Sequence, residues 1–296
     1  MEQKWLDRMN KGEGFIAALD QSGGSTSKTL KLYGVDESAY SNNEEMFDIM
    51  HAMRARIMKS PEFNSDSILG AILFEATLDR QVDGKPTTDY LWSKGILPFL
   101  KVDLGLADVN NDVQLMKPIT NLDAVLKKAV EHKVFGTKMR SVIKGANVLG
   151  IKDVVAQQFE VAKRIISYGL VPMIEPEVDI NITDKQQAEV ILKQELIAGL
   201  KTLCTDKKVI FKLSLPTQDN FYRELMDDPH TIRVVALSGG YPQQQANEIL
   251  ARNEGVIASF SRALAEGLNA NQKDEEFNKV LGNSIKSIKS ASIRAV

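Results

Sequence analysis

The chain is short of the residues that usually announce a chemistry. It has a single cysteine, Cys204, so no disulfide can form within it, and a reducing compartment is the expected setting. With no histidine close by in sequence, Cys204 reads as a small apolar filler rather than a nucleophile. The histidines are only three, His51, His132 and His230. They fall in a helical segment and ahead of two strand-like runs, so each reads as a surface or capping residue. A zinc or other transition-metal cluster is therefore not expected. No apolar run approaches the roughly 18 residues that a membrane span requires. The start, Met1 to Arg8, lacks the apolar core of a signal peptide, so a cytoplasmic protein is expected. Neither sign of charge dominates: 37 Lys and Arg stand against 39 Asp and Glu, for a net charge of -2. That balance argues against bulk binding of nucleic acid or of an anionic membrane. Low-complexity tracts and Pro/Gly linkers are absent as well.

What is present is a recurring unit: a short apolar run, a polar loop, then a segment of helical period. The strand-like runs are Gly14–Asp20, Ile68–Glu75, Ile96–Asp103, Val134–Ser141, Leu170–Val178, Val209–Leu215, Ile232–Ser238 and Val256–Phe260. Val154–Ile166 and Ala188–Leu200 are two of the helical segments. Continuous apolar strands alternating with amphipathic helices predict a parallel sheet covered by helices. Eight units in 296 residues predict a (β/α)8 TIM barrel, α/β in class. It is expected to form a single domain over 1–296, with about 270–296 as a closing helix or tail. The rival, an open doubly wound sheet, usually carries a glycine-rich turn after its first strand. Here that turn reads Asp20-Gln21-Ser22-Gly23-Gly24-Ser25-Thr26-Ser27-Lys28, which is neither G-x-G-x-x-G nor a P-loop.

Lys212 stands out inside Val209-Ile210-Phe211-Lys212-Leu213-Ser214-Leu215. An ammonium in a buried strand is costly unless paired or used. It has company. Successive side chains in a strand face opposite sides, so Asp20 shares a face with Ile16 and Ala18, Lys101 and Asp103 with Phe99, and Lys138 and Arg140 with Gly136. Glu175 and Glu177 lie opposite Ile174 and Val178. If Phe135, Met139, Ile174 and Leu213 meet the helices, the charges converge on the C-terminal mouth, where barrel enzymes keep their active sites. A buried salt-bridge lattice without chemistry is the plainer alternative, but such lattices stabilise weakly.

Two turns after the late strands suit an anion. Leu237-Ser238-Gly239-Gly240 follows the seventh run and Ser259-Phe260-Ser261-Arg262 the eighth, where barrels often hold phosphate. Glycine lets backbone N–H groups approach an oxyanion, and Arg262 offers a bidentate contact. Ser22-Gly23-Gly24-Ser25 offers a second cradle, so a bisphosphorylated substrate is expected. With metal chemistry set aside, a neutral lysine amine can attack a ketone and form an iminium, an electron sink for carbon–carbon cleavage. Such an amine must first lose its proton, which burial and a nearby cation such as Lys138 or Arg140 favour. Glu175 and Glu177 are candidates for moving protons.

From about Gly14 to Leu264 the chain resembles the bacterial class I, Schiff-base fructose-1,6-bisphosphate aldolases. The resemblance rests on Ala18-Leu19-Asp20-Gln21-Ser22, Ile72-Leu73-Phe74-Glu75, Phe99-Leu100-Lys101-Val102-Asp103, Lys138-Met139-Arg140, Val171-Pro172-Met173-Ile174-Glu175-Pro176-Glu177, Phe211-Lys212-Leu213, Leu237-Ser238-Gly239-Gly240 and Ser259-Phe260-Ser261-Arg262-Ala263-Leu264. It implies a barrel lyase of glycolysis or gluconeogenesis, with a phosphorylated sugar as substrate and no metal or other cofactor. It implies Lys212 as the Schiff-base lysine, Glu175 as acid/base, Lys138 as the second lysine and Asp20 as the carboxylate orienting it. Ser238, Gly239 and Arg262, with Gly240 and Ser259 in the same turns, match the C1-phosphate site. Ser22, Ser25 and Lys101 match C6-phosphate contacts, and Glu177 and Arg140 match outer charges.

Three positions depart from the animal members: Gln21 replaces an acidic residue, Leu104 a lysine and Thr29 an arginine. The end of the chain, Ser290 to Val296, also lacks their tyrosine-ended tail, so a proton exchange made there is expected to fall to Glu175 or Glu177. Preference for the C4 epimer, tagatose 1,6-bisphosphate, is an alternative. A metal-dependent barrel and a non-catalytic scaffold barrel are others. A homo-oligomer is compatible with the sequence, which specifies no assembly.

Overall fold

A computed structural model describes residues 2–22 and 24–293. Eight parallel strands make the barrel: β1 (Phe15–Leu19), β2 (Ile68–Leu73), β3 (Leu97–Lys101), β4 (Gly136–Ile143), β5 (Val171–Val178), β6 (Val209–Ser214), β7 (Thr231–Leu237) and β8 (Ile257–Ala258); a ninth, short strand, Val113–Gln114, pairs antiparallel with β4 in the same sheet. Each barrel strand pairs with the next in chain order. Ala18 N–H of β1 donates to Phe260 O just past β8 at 3.1 Å and brings the two ends together. The result is the (β/α)8 barrel that the strand spacing predicts.

Alternation along the strands separates two apolar layers. Phe15, Ala17, Leu19, Met139, Ile174, Phe211 and Leu213 face outward into the layer packed by the helices. Ile16, Ala18, Leu97, Phe99, Met173, Ile210 and Val235 face inward. Helix Val148–Ser167 shows how sequence sets the outer layer. Ile151, Val154, Val155, Phe159, Ala162 and Ile165 recur at helical spacing and are buried, and the Asn147 side chain caps the helix by accepting from Gly150 N–H at 3.1 Å.

Phe135 corrects one expectation. It belongs to the inner cluster, not the helix-facing one. It precedes the first residue of β4, where strict alternation has not begun, and its ring meets Phe99 edge-on with centroids 5.3 Å apart. Gly136 beside it leaves the room: a Cβ there would lie 2.8 Å from a Phe99 ring carbon.

Helix Gln3–Lys11 closes the N-terminal end of the barrel. Trp5, Leu6 and Met9 plug the inner cluster from below, and Arg233 of β7 donates to Met9 O at 3.1 Å and Gly12 O at 2.6 Å. Helix Asp274–Ile293 lies where a closing segment is expected and buries Phe277, Leu281, Ile285 and Ile288. Residues 294–296, which hold the chain end considered above, and Gly23 lie outside the described residues. No described helix is long and apolar enough to cross a membrane.

Candidate active site

At the C-terminal mouth four charged side chains meet although each is almost fully buried: Asp20, Lys138, Glu175 and Lys212. Lys138 Nζ lies 2.6 Å from Asp20 Oδ2 and 2.9 Å from Glu175 Oε2. Lys212 Nζ lies 3.1 Å from Glu175 Oε1. Glu175 therefore bridges the two amines, one with each oxygen. Its Oε2 nevertheless makes no well-aligned hydrogen bond, so the contact with Lys138 is an ion pair whose acceptor oxygen keeps directional capacity.

The strands explain the convergence. Asp20 directly follows β1, Lys138 lies on β4, Glu175 on β5 and Lys212 on β6. β5 and β6 pair only at Met173 with Ile210 and Ile174 with Phe211. Beyond that point the Ser214 hydroxyl takes over, accepting from Val178 N–H at 3.0 Å and donating to Val178 O at 2.6 Å. The strands part where Glu175 and Lys212 need space, and no buried backbone group of Val178 is left unpaired.

Electrostatics favour fixed ions here. Burial alone would push the Asp20 carboxyl up, but Lys138, Lys212 and Lys101 together hold it well below the usual carboxylate range. Burial would likewise strip Lys138 of its proton, but Asp20, Glu175 and Asp103 raise it above the usual lysine value. Lys138 is a permanent cation and Asp20 a permanent anion at neutral pH.

An outer ring surrounds this core. Arg140 Nε lies 2.6 Å from Glu177 Oε2. Burial opposes its charge, and Glu177 with Glu175 and Asp103 overcomes that and raises it. Lys101 Nζ lies 2.8 Å from Asp103 Oδ1 and donates to Asp103 O at 2.9 Å. The other Asp103 oxygen accepts from Arg140 N–H at 3.2 Å.

The turn after β7 brings Ser238, Gly239 and Gly240 beside Arg262. Both glycines have positive φ, 62° and 119°. A Cβ at Gly239 would lie 2.6 Å from Ile180 Cγ2, and one at Gly240 would lie 3.5 Å from Arg262 Nη2. The turn thus needs glycine for its backbone and, at Gly239, for space. Ser259 Oγ is buried and has no partner among the described residues. Gly240, Arg262 and Gln21 line a common cavity of about 340 Å³.

Ser22 and Ser25 lie at the start of helix Gly24–Leu32, next after β1. There Ser25 Oγ is engaged with its own turn, accepting from Ser22 N–H at 3.0 Å and donating to Ser22 O at 2.7 Å. Among the described residues, no group of three or more His, Cys, Asp or Glu is placed to hold a metal ion. His51 bonds Gln81 O through Nε2, and His230 bonds Asp228 through Nδ1.

Sequence reasoning missed two residues that shape the site. Gln158, fully buried, accepts from Glu175 N–H at 3.1 Å and donates to Ser141 Oγ at 3.1 Å. Its signal was an amide on the apolar stripe of its helix, between Val154, Val155 and Phe159. Arg54, 1% exposed, lies behind the loop that carries Asp20. Nothing in its sequence setting separates it from a solvent-facing arginine.

The model of the family "fructose-bisphosphate aldolase class-I" matches residues 6–219. The fructose-bisphosphate aldolase class 1 of Clostridium acetobutylicum is 61% identical over 294 residues, which are 99% of this chain and 100% of that protein. The Plasmodium falciparum fructose-bisphosphate aldolase, solved with TRAP and a small-molecule inhibitor, superposes with a TM-score of 0.74 over 98% of this chain and 93% of that one. A Corynebacterium glutamicum structure superposes with a TM-score of 0.57 over 98% and 92%. At 19% and 13% identity these two speak for the fold.

Proposed function

The chain belongs to the class I fructose-bisphosphate aldolase family, and from that premise we propose which residues carry the reaction. The protein is a lyase that reversibly cleaves fructose 1,6-bisphosphate into dihydroxyacetone phosphate and glyceraldehyde 3-phosphate through a lysine Schiff base. Lys212 gives one proton to Glu175 Oε1, 3.1 Å away, and its neutral Nζ attacks the C2 carbonyl carbon; a second Nζ proton then moves to the carbonyl oxygen to give the carbinolamine. Loss of water from the carbinolamine, with Glu175 returning a proton to the departing hydroxyl, leaves the iminium. The electrons of the C3–C4 bond then flow into the iminium to give an enamine, and a Glu175 oxygen accepts the C4 hydroxyl proton as the aldehyde forms. Protonation at C3 and hydrolysis release the second product and restore the amine.

The observation that carries this reading is the bridge: one buried carboxylate touches both lysines, one with each oxygen. Lys138, held cationic by Asp20, supplies the positive potential beside Lys212 and faces the oxygens that gain charge. Ser238, Gly239, Gly240, Ser259 and Arg262 grip one phosphate. Ser22, Ser25 and Lys101 take the other, Lys101 exchanging Asp103 for it. Glu177 holds Arg140 at the rim. The described chain works as one catalytic barrel, in the cytoplasm, without metal, nucleic acid or membrane.

Borohydride reduction in the presence of fructose 1,6-bisphosphate should add covalent mass at Lys212. An adduct that persists in Lys212→Ala, or none in the parent protein, overturns the assignment. Activity should survive a chelator. Rates with the two C4 epimers, fructose and tagatose 1,6-bisphosphate, measured side by side, decide the substrate stereochemistry, for which fructose is expected to be the better.

A further inference from the structure

Arg54 is the largest of the fully buried side chains, yet no carboxylate lies within ion-pair distance of it among the described residues. It projects from helix Asn43–Lys59 into the space between the loops after β1 and β2. Nη1 donates to Thr77 Oγ1 at 2.7 Å, and Thr77 is itself fully buried in the short helix after β2. Nη2 donates to Gln21 O at 2.5 Å and leans toward Gln21 Oε1 at 3.4 Å. Nε has no partner. Burial without a paired anion pulls the guanidinium down to about 10, with the nearby Asp20 charge opposing that. Stability alone is a poor reason for such a residue, because a buried cation with an unsatisfied donor costs free energy.

The contacts continue in one direction. The carbonyl that Arg54 holds belongs to the residue next to Asp20. The Gln21 side chain then reaches across to the loop after β8, where Nε2 donates to Ser261 Oγ at 2.7 Å. Ser261 directly precedes Arg262, whose Nη2 stands over Gly240. Four loops, after β2, β1, β8 and β7, are thereby joined in series. One end of the series is the carboxylate that fixes Lys138, and the other is the arginine that faces the glycine turn. In a barrel these loops are otherwise independent, since each is anchored only by its own strand and helix.

We propose that Arg54, Gln21 and Ser261 are positioning residues: they form a polar strut that sets the distance between the Asp20–Lys138 pair and Arg262, and so matches the site to a substrate with a phosphate on the ketone side. The proposal rests on the reading that Arg262 grips that phosphate. It also gives the glutamine at 21 a physical reason. The Gln21 amide donates to Ser261 through Nε2 and turns its Oε1 toward Arg54, so one side chain spans both neighbours.

The test uses the full-length enzyme and the variants Gln21→Leu, Ser261→Ala, Ser261→Thr and Gln21→Leu/Ser261→Ala, with steady-state kinetics on fructose 1,6-bisphosphate and fructose 1-phosphate. Loss of one neutral hydrogen bond should raise KM about fivefold for both substrates in Gln21→Leu and in Ser261→Ala, with kcat within about twofold. Ser261→Thr keeps the hydroxyl and should stay near the parent. The double variant should be no worse than Gln21→Leu alone, because both changes break one link. If the single variants lower only the melting temperature and leave KM unchanged, the contacts are a structural brace and the proposal fails. If the double variant multiplies the two effects, Ser261 acts without Gln21 and the strut fails as well. Arg54→Lys should lower kcat in addition, because the peptide after Asp20 is released. Should that variant not fold, the other four decide alone. Borohydride trapping on the parent protein is a separate readout, so failure of the Lys212 assignment is not confused with failure of the strut.

Discussion

The two ends of this barrel are built from the same eight strands and solve opposite problems. At the N-terminal end the inward positions are apolar. Phe99, Phe135, Met173 and Ile210 meet under Met9, and the inward cation there, Arg233, is satisfied by two backbone carbonyls at the end of the capping helix. Burial pulls the Arg233 guanidinium down to about 10, and the two carbonyls at the helix C-terminus, where positive charge is favourable, oppose that cost without removing it. At the C-terminal end the inward positions are Lys138, Glu175 and Lys212, with Asp20 beside them, and they satisfy one another. The difference teaches how a costly arrangement is read. A floor charge that ends on the backbone has finished its task. A mouth in which one carboxylate serves two amines gathers the charges that the proposed reaction needs.

Substitutions at the two ends should separate cleanly. The largest effect belongs to Lys212→Ala, which removes the proposed nucleophile and should cut kcat/KM by about 10⁴-fold or more. Lys138→Met should lower kcat by about 10³-fold and also destabilise by about 3 kcal/mol, since it leaves Asp20 buried without its main partner. Chemical denaturation and kinetics on the same sample check both. Phe99→Ala opens the floor and should cost about 3–5 kcal/mol of stability, while kcat per folded molecule stays close to the parent. A large loss of kcat there would break the division between floor and mouth. Gly239→Ala should raise KM about tenfold with a smaller change in kcat, because the positive φ and Ile180 both resist a Cβ.

The smallest effect is in the pH dependence of unfolding. Asp20 titrates lower in the folded state than its usual 3.8, so its contribution is complete above that value and is lost as pH falls toward the folded one. Lys138 titrates above its usual 10.5, so its contribution is complete below that value and is lost as pH rises through the folded one. Melting curves from pH 2 to 11 should therefore fall more steeply on the acid side in the parent than in Asp20→Asn, and more steeply on the alkaline side than in Lys138→Met. Arg233→Met at the floor should leave the acid flank unchanged and make the alkaline flank steeper, because burial lowers this guanidinium to about 10, so above that pH the folded parent sheds a proton that the unfolded chain keeps.

Much of this was legible in the chain. The eight apolar runs all became barrel strands, because a run buried on both faces carries its own signature, and alternation placed the charges together on one face of each strand. Phe135 escaped because it stands one residue before its strand, where alternation does not yet apply. Ser25 was visible as a serine in a glycine turn, but its local hydrogen bonds to Ser22 were not. Arg54 and Gln158 are the instructive failures. Each is a polar residue in an amphipathic helix, and helical period cannot tell a polar side chain bent inward to a loop or strand from one in water.

By itself, then, the sequence determined which residues alternate, which charges interrupt apolar strands and where glycine relieves a turn, because these follow from local geometry with a period of two or 3.6 residues. Only the tertiary structure decided that Asp20 of the first unit lies against Lys138 of the fourth, that Glu175 divides its oxygens between two lysines, and that Arg54 stands behind them. Those distances arise from closure of the sheet and from the parting of β5 and β6 above Ile174. They depend on segments far apart in the chain that meet only when the barrel is complete.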